Sequence, residues 1–280
     1  MKGVKEIKAR IGGVRDTLKI TKAMYVLSAA KLPRCIAKLQ AGKAYHQGLE
    51  HAVQRLMCKA YCQNPFLQGN ASGRNTGWIV LAGDKGLCGD YNDRVLVEAW
   101  SRIAATDDYR IFAVGYMAKA FFVAKGVRVS TNFVHMLQNP LIEDAAKIAD
   151  RLMDDLSQGD LKQVFVVYTM ANHLYDQEVV CEQLLPLPYP MQEENVRLSS
   201  PDEDINELLH AALTAKIYCA LLDASAALTY KHMSSMQQSA KNGEEMLEQL
   251  TQDYHHARQS AITTELTDVN VARTVNEDNP

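Results

Sequence analysis

Gly83-Asp84-Lys85-Gly86-Leu87-Cys88-Gly89 is the stretch whose residue types would best suit phosphate chemistry. It follows a short β-branched run (78–82) and opens a helical pattern (92–105). In that position glycines can let backbone N–H groups close around an anion. Its spacing is G-x-x-G-x-x-G, neither the G-x-G-x-x-G of dinucleotide folds nor the G-x-x-x-x-G-K-[ST] of a P-loop. Asp107 and Asp108 fall near the distance of a ribose-binding acid, but in the loop after the helix. The stretch therefore reads as a structural turn on Gly83, Asp84, Lys85, Gly86 and Gly89. Cys88 sits where a helix start could activate a thiol, yet reads as a buried small residue. The other reactive types are equally unpromising. The six cysteines form no C-x-x-C and, with eight scattered histidines, no zinc spacing. Cys58 and Cys62 lie one helical turn apart and read as packing. His255-His256 has no carboxylate at a helical spacing. Asp154-Asp155 and Glu244-Glu245 read as solvated helix faces. The expectation is a chain without catalytic residues, metal ligands or cofactor.

Charge is small in sum and lopsided in place. The net formal charge is −3, yet residues 1–43 hold eleven Lys/Arg against two acids, Glu6 and Asp16, a local +9 against −12 for the remainder. Such a basic arm predicts an anionic partner, either nucleic acid or an acidic protein surface. No run of about 18 apolar residues is evident, so no membrane span is expected. The opening residues have no apolar core of a signal peptide, and the expected compartment is the cytoplasm.

These residues must be positioned by three segments. Residues 4–62 predict one long helix. Ile7, Ile11, Val14, Leu18, Thr21, Tyr25, Ser28, Leu32, Cys35 and Leu39 recur at alternating steps of 4 and 3. That is the 3.5-residue period of a left-handed coiled coil. Pro33 removes a backbone donor and predicts a kink near Ala29. Residues 63–76 carry turn chemistry. Residues 77–190 then alternate strands (78–82, 110–114, 128–133, 163–169) with helices (92–105, 116–125, 140–158). This predicts a mainly parallel α/β sheet, with 179–185 as an antiparallel edge strand. Ser200-Pro201-Asp202-Glu203 is a capping box that starts a last helix. From Met236 through Ala240, Gly243, Leu247, Leu250, Tyr254 and Ala257 to Ala261 the steps of 4 and 3 return. The fold class is thus α/β plus a long antiparallel coiled coil of both termini. Its domains are 1–62, 77–190 and 201–275.

Several motifs carry a resemblance. Lys5-Glu6-Ile7-Lys8-Ala9-Arg10-Ile11, Thr17 through Met24, and Ser28-Ala29-Ala30-Lys31-Leu32 resemble the opening of the gamma subunit of bacterial F-type ATP synthases. Asp84-Lys85-Gly86-Leu87-Cys88-Gly89 resembles that family's mid-chain signature. Gln183-Leu184-Leu185-Pro186-Leu187-Pro188 is similar to the segment after its last strand, and Ala257 through Thr267 to its C-terminal signature. The resemblance implies a Rossmann-like domain with paired terminal helices. It also implies a central rotor shaft turning inside a ring of three alpha and three beta subunits. The foot would join the epsilon subunit and the membrane c-ring, at the cytoplasmic face of the membrane. ATP would bind to beta, so the chain would need no cofactor of its own. Lys5, Lys8, Lys19, Lys22, Met24 and Lys31 would meet the acidic collar of beta. Arg258, Gln259 and Thr263 would meet the catalytic ring.

The chain departs from that pattern in places. Pro33 replaces a basic residue. Leu228 and His232 replace an acid and an arginine, so no ion pair is expected between them. The tail after Val269 is longer and more polar, and no inserted dithiol loop is present. Two other function classes fit parts of the sequence: a nucleotide-binding α/β enzyme with helical arms, and a basic scaffold for nucleic acid. The resemblance implies no nucleic-acid partner.

Overall fold

A computed structural model describes residues 3–56, 64–70, 73–171, 177–187 and 202–277. Cys58, Cys62, Ser200 and Pro201 lie outside them, as does the segment preceding Pro201. The chain forms two compact units, residues 28–232 and residues 1–27 with 233–280. By packing, the division therefore falls inside both long helices, α1 (Val4–Leu56) and α6 (Asp202–Glu277).

The larger unit is built on a five-stranded sheet. Its strands are β1 (Asn75–Leu81), β2 (Tyr109–Val114), β3 (Val129–Phe133), β4 (Leu161–Met170) and β5 (Glu178–Leu185), in the order β3-β2-β1-β4-β5. The first four are parallel, and β5 runs antiparallel to β4 as the edge. Short α2 (Pro65–Gln68) precedes the sheet, and α3 (Tyr91–Ile103), α4 (Tyr116–Ala124) and α5 (Ile142–Ser157) connect its strands.

Alternation along the strands gives the sheet two apolar faces. Trp78, Val80, Ala82, Ile111 and Ala113 face Val95, Leu96, Ala99 and Ile103 of α3 and Ala118 and Phe122 of α4. Ile79, Leu81, Phe112, Val114, Val164 and Val166 face Ile148, Leu152 and Leu156 of α5 and Leu209, Leu213, Ile217 and Leu221 of α6. The direction of crossover therefore switches between β1 and β4, as in doubly wound sheets. The helical part of α1 within this unit lies against α6 through Cys35, Leu39, Leu222 and Ala226. A stretch of α6 is apolar enough by composition to cross a membrane, but most of it is buried in this packing. The expectation of no membrane span rested on counting consecutive apolar residues, and packing accounts for the apolar stretch it overlooked.

The smaller unit pairs the outer parts of α1 and α6. Every seam position expected for α1 from Ile7 to Leu39 is buried or half-buried, and so is every one from Met236 to Ala261 of α6. The helices run antiparallel, since Ile7 and Arg10 share a groove with Leu250 and Ala257, whereas Lys22 and Tyr25 share one with Ser234 and Gln237. Close approach explains the small residues on the seam. A Cβ added at Gly243 would stand 3.2 Å from Leu18 Cδ1. Helical geometry continues through Pro33, which lies on the exposed side with Leu32 and Cys35 buried beside it.

Candidate functional site

The turn after β1 is held by its own side chains. Asp84, whose carboxylate is 5% exposed, accepts from the backbone N–H groups of Tyr116 and His135 through Oδ1, each at 3.2 Å. It thereby ties the first turn of α4 to the segment after β3. His135 Nδ1 stands 3.6 Å from Asp84 Oδ2, too far for a hydrogen bond. Asn92 closes the turn from the other side. Its Oδ1 accepts from Gly83 N–H at 2.8 Å, and its Nδ2 donates to Lys85 O at 3.2 Å. Leu87 has φ +63° and Gly89 φ +59°, while Gly86 and Lys85 lie on the exposed side. Cys88 is 1% exposed and burial pushes its thiol pKa up, which opposes thiolate chemistry.

Doubly wound folds place ligands in the crevice at the carboxyl ends of the strands, where the crossover direction switches. Here that crevice is filled by α6. Asp223 Oδ1 accepts from Ala171 N–H just past β4, at 3.2 Å. Ala224 O accepts from Tyr91 OH at 3.2 Å, and Ala227 O accepts from Gln177 Nε2 at 2.9 Å. Leu228 Cδ2 lies 3.4 Å from where a Cβ on Gly83 would stand. The departure at Leu228 thus places an apolar group against the turn. Among the described residues no carboxylate pairs with His232. Its Nδ1 lies 3.1 Å from Leu87 O, and the neighbouring Lys231 pairs with Asp90 at 2.9 Å. That cation holds the Asp90 carboxyl below the usual carboxylate range.

Of the carboxylates read from sequence as solvated helix faces, Asp154, Glu244 and Glu245 are exposed and Asp155 is not. Asp155 is 3% exposed, with Arg110 and Arg151 each 3.1 Å from Oδ2. Its neighbour in sequence gave no sign that two arginines would draw one of the pair inward. Glu244 pairs with Lys22 at 2.5 Å across the helix seam.

The residues expected to meet partners fall on the outer sides of the helices. Lys5, Lys8, Lys19, Lys22, Lys31, Arg258, Gln259 and Thr263 are exposed, and Met24 is half-buried. Some are partly engaged within the chain: Lys19 pairs with Asp16 at 3.1 Å, and Lys31 donates to Gln138 O. The Thr263 hydroxyl donates to Gln259 O at 2.9 Å, so it is left only as an acceptor for any partner. Sequence analysis missed the apolar part of this surface. Ile20 and Val26 are each 61% exposed and Leu27 is 70% exposed, among the lysines. They stand off the 3.5-residue seam, and that offset was the available signal.

One buried cluster gives the unit a pH dependence. His46 on α1 is half-buried, its Nδ1 has no hydrogen-bond partner among the described residues, and burial lowers its pKa from the ordinary 6.5. Glu50, Lys216 and Glu182 face it, the acids opposing the shift and the lysine adding to it. A depressed folded pKa means that the unfolded chain takes up the proton first, so this group's stability is present above 6.5 and lost as pH falls. His232 is shifted in the same direction, by burial first. The melting temperature is expected to drop between pH 7.5 and 5.5 by more in the wild type than in His46→Gln. Equal drops measured by circular dichroism would contradict this.

An α/β sheet with its switch-point crevice filled by a terminal helix, and terminal helices that pair with each other, define the class as an α/β protein with paired long terminal helices. The chain belongs to the ATP synthase gamma chain family. The ATP synthase family model matches residues 3–272. The ATP synthase gamma chain of Heliobacterium modesticaldum is 30% identical over 96% of this chain and 97% of its own length. That of Desulfitobacterium hafniense is 31% identical over 96% and 97%. Among solved structures, a chain of the Euglena gracilis mitochondrial ATP synthase (OSCP/F1/c-ring) superposes with TM-score 0.71 at 11% identity, covering 97% of this chain and 94% of its own. A chain of the Tetrahymena thermophila mitochondrial ATP synthase central stalk and c-ring gives 0.61 at 21% identity, covering 78% and 98%.

Proposed function

We propose that the chain is the central rotor of an F-type ATP synthase, coupling ion flow through a membrane c-ring to ATP chemistry on beta subunits. The supporting observation is the outer face of the antiparallel helix pair. A two-helix rod with Ile20, Val26 and Leu27 turned outward among lysines is a surface suited to a partner that is both apolar and acidic. An alpha/beta ring with an acidic collar has that chemistry. The sheet unit would then serve as the foot, joined to epsilon and the c-ring at the cytoplasmic face of the membrane. The chain would be peripheral, would carry no nucleotide or metal as a cofactor, and would bind no nucleic acid. Torque on this view passes through Lys5, Lys8, Lys19, Lys22, Met24 and Lys31 to beta, and through Arg258, Gln259 and Thr263 of the partner helix to the catalytic ring. Gly83, Asp84, Lys85, Gly86 and Gly89 would keep the turn rigid rather than bind phosphate.

Co-expression with alpha and beta subunits tests the assignment, and failure to isolate a three-component complex would count against it. Within that complex, Gln259→Leu is expected to lower steady-state ATPase roughly five- to tenfold, the loss of one hydrogen bond of about 1 kcal/mol at a single rotary angle. Thr263→Val should do less, because its hydroxyl hydrogen is already engaged. A wild-type rate in Gln259→Leu with normal assembly would make Gln259 merely a solvated residue.

A further inference from the structure

Lys31, Arg34 and Lys38 stand three and four residues apart, so α1 carries them along one face. That face borders a cleft of about 340 Å³, near the lower end of small-ligand sites. Its other walls are residues 138–140 and, on α6, Leu222 and Ser225. All of these belong to the sheet unit.

The charges in the cleft are not neutralised. Lys31 Nζ donates to Gln138 O at 2.5 Å and Lys38 Nζ to Asn139 Oδ1 at 3.0 Å, and both acceptors are neutral. Among the described residues no carboxylate pairs with Lys31, Arg34 or Lys38, whereas the nearby Lys43 is paired with Asp223 at 3.2 Å. Ser225 supplies an independent sign. It is 2% exposed, it lines the cleft, and among the described residues its Oγ has no hydrogen-bond partner. A buried hydroxyl is normally satisfied, and an unsatisfied one facing a cleft points to a group that the cleft receives.

We propose that this cleft binds a phosphate-class oxyanion. The donor set matches a tetrahedral dianion. Arg34 offers a planar fork for two oxygens. Each lysine has three N–H donors and can keep its present acceptor while giving another to the ligand. Ser225 Oγ donates from the floor. Three cations exceed what one carboxylate needs and suit a doubly charged group. The ligand is either free orthophosphate or the terminal phosphate of a nucleotide. The site is separate from the glycine turn after β1 and does not depend on the rotor assignment, which stands or falls on assembly with alpha and beta.

Isothermal titration of the full chain with orthophosphate, pyrophosphate and ATP in about 0.1 M chloride tests the proposal. Saturable one-to-one binding of orthophosphate is expected. ATP binding more tightly than orthophosphate would place the source in a nucleotide's terminal phosphate, provided that adenosine alone does not bind. Arg34→Gln is expected to weaken binding at least about tenfold, and Ser225→Ala severalfold, with unchanged circular dichroism. Arg34 is exposed, so its replacement leaves the fold intact and keeps the test decisive. No saturation below about 10 mM of any of the three ligands, or wild-type binding by Arg34→Gln, would overturn the proposal. So would an acidic peptide that binds the cleft when phosphate does not.

Discussion

Gly115→Ala is expected to remove a large share of the chain's stability. Gly115 has φ +94° and ψ 151°, a region that only glycine enters without strain. A Cβ there would stand 2.0 Å from Ala82 O, 2.9 Å from Ala82 C and 3.0 Å from Gly83 O. These are backbone atoms at the end of the central strand, so no side chain can swing away to make room. Relief would require parting the ends of β1 and β2, and with them the Gly115 N–H bond to Phe133 O and the Met117 N–H bond to Gly83 O. A cost above about 3 kcal/mol is expected, against a total stability of about 5–15 kcal/mol. Urea denaturation of the full chain measures it. Gly126→Ala is the control: φ is +75°, but nothing lies within 4 Å of the added Cβ, and about 1 kcal/mol is expected. Equal midpoints for the two variants would show that the contact with Ala82 does not govern the effect.

Met24→Lys should uncouple ATP turnover from ion pumping in the assembled complex. Met24 lies half-buried between Ile20 and Leu27, four residues before it and three after, so the three share one helix face. A cation there would meet an acidic collar at one angle only. A partly solvated ion pair of about 1 kcal/mol would favour that angle roughly fivefold, so that the shaft lags while ATP is still hydrolysed and fewer ions are pumped per ATP. Reconstituted vesicles give the readout as ions pumped per ATP hydrolysed. An unchanged ratio would remove Met24 from the coupling surface.

Much of the architecture was legible because it rests on short-range periodicity. The strands at 78–82, 110–114, 128–133 and 163–169 lie within β1 to β4 or overrun them by a residue, and the antiparallel edge strand is β5. Steps of 4 and 3 located both helix seams residue by residue. What could not be read was where those elements dock. An alanine-rich run such as Ala224, Ala226 and Ala227 announces a helix that can approach closely, but not that it will fill the crevice between β1 and β4. Asp154 and Asp155 look alike in sequence; Arg151, four residues earlier, offers Asp155 a local partner, but the second, Arg110 on β2, comes from a distant part of the chain. Lys22 belonged to a basic arm by composition, yet an acid 222 positions away pairs with it. Long-range partners of this kind leave no local pattern.

The hydroxyls of the helix pair have a mechanical consequence. Thr17, Thr251, Thr263, Thr264 and Thr267 are all exposed, and each donates to the carbonyl four residues before it, at 2.7 to 3.0 Å. Each therefore shows its neighbours a methyl group and a weak acceptor instead of a free donor. Sliding past such a surface breaks few hydrogen bonds and makes few, so the resistance to motion comes mostly from the long charged and amide side chains. Against a close-fitting wall threonine at these positions would act as a dry lubricant, and serine would keep the bond but lose the methyl coating. A rod that must turn many times against the same wall gains more from low adhesion than from tight binding.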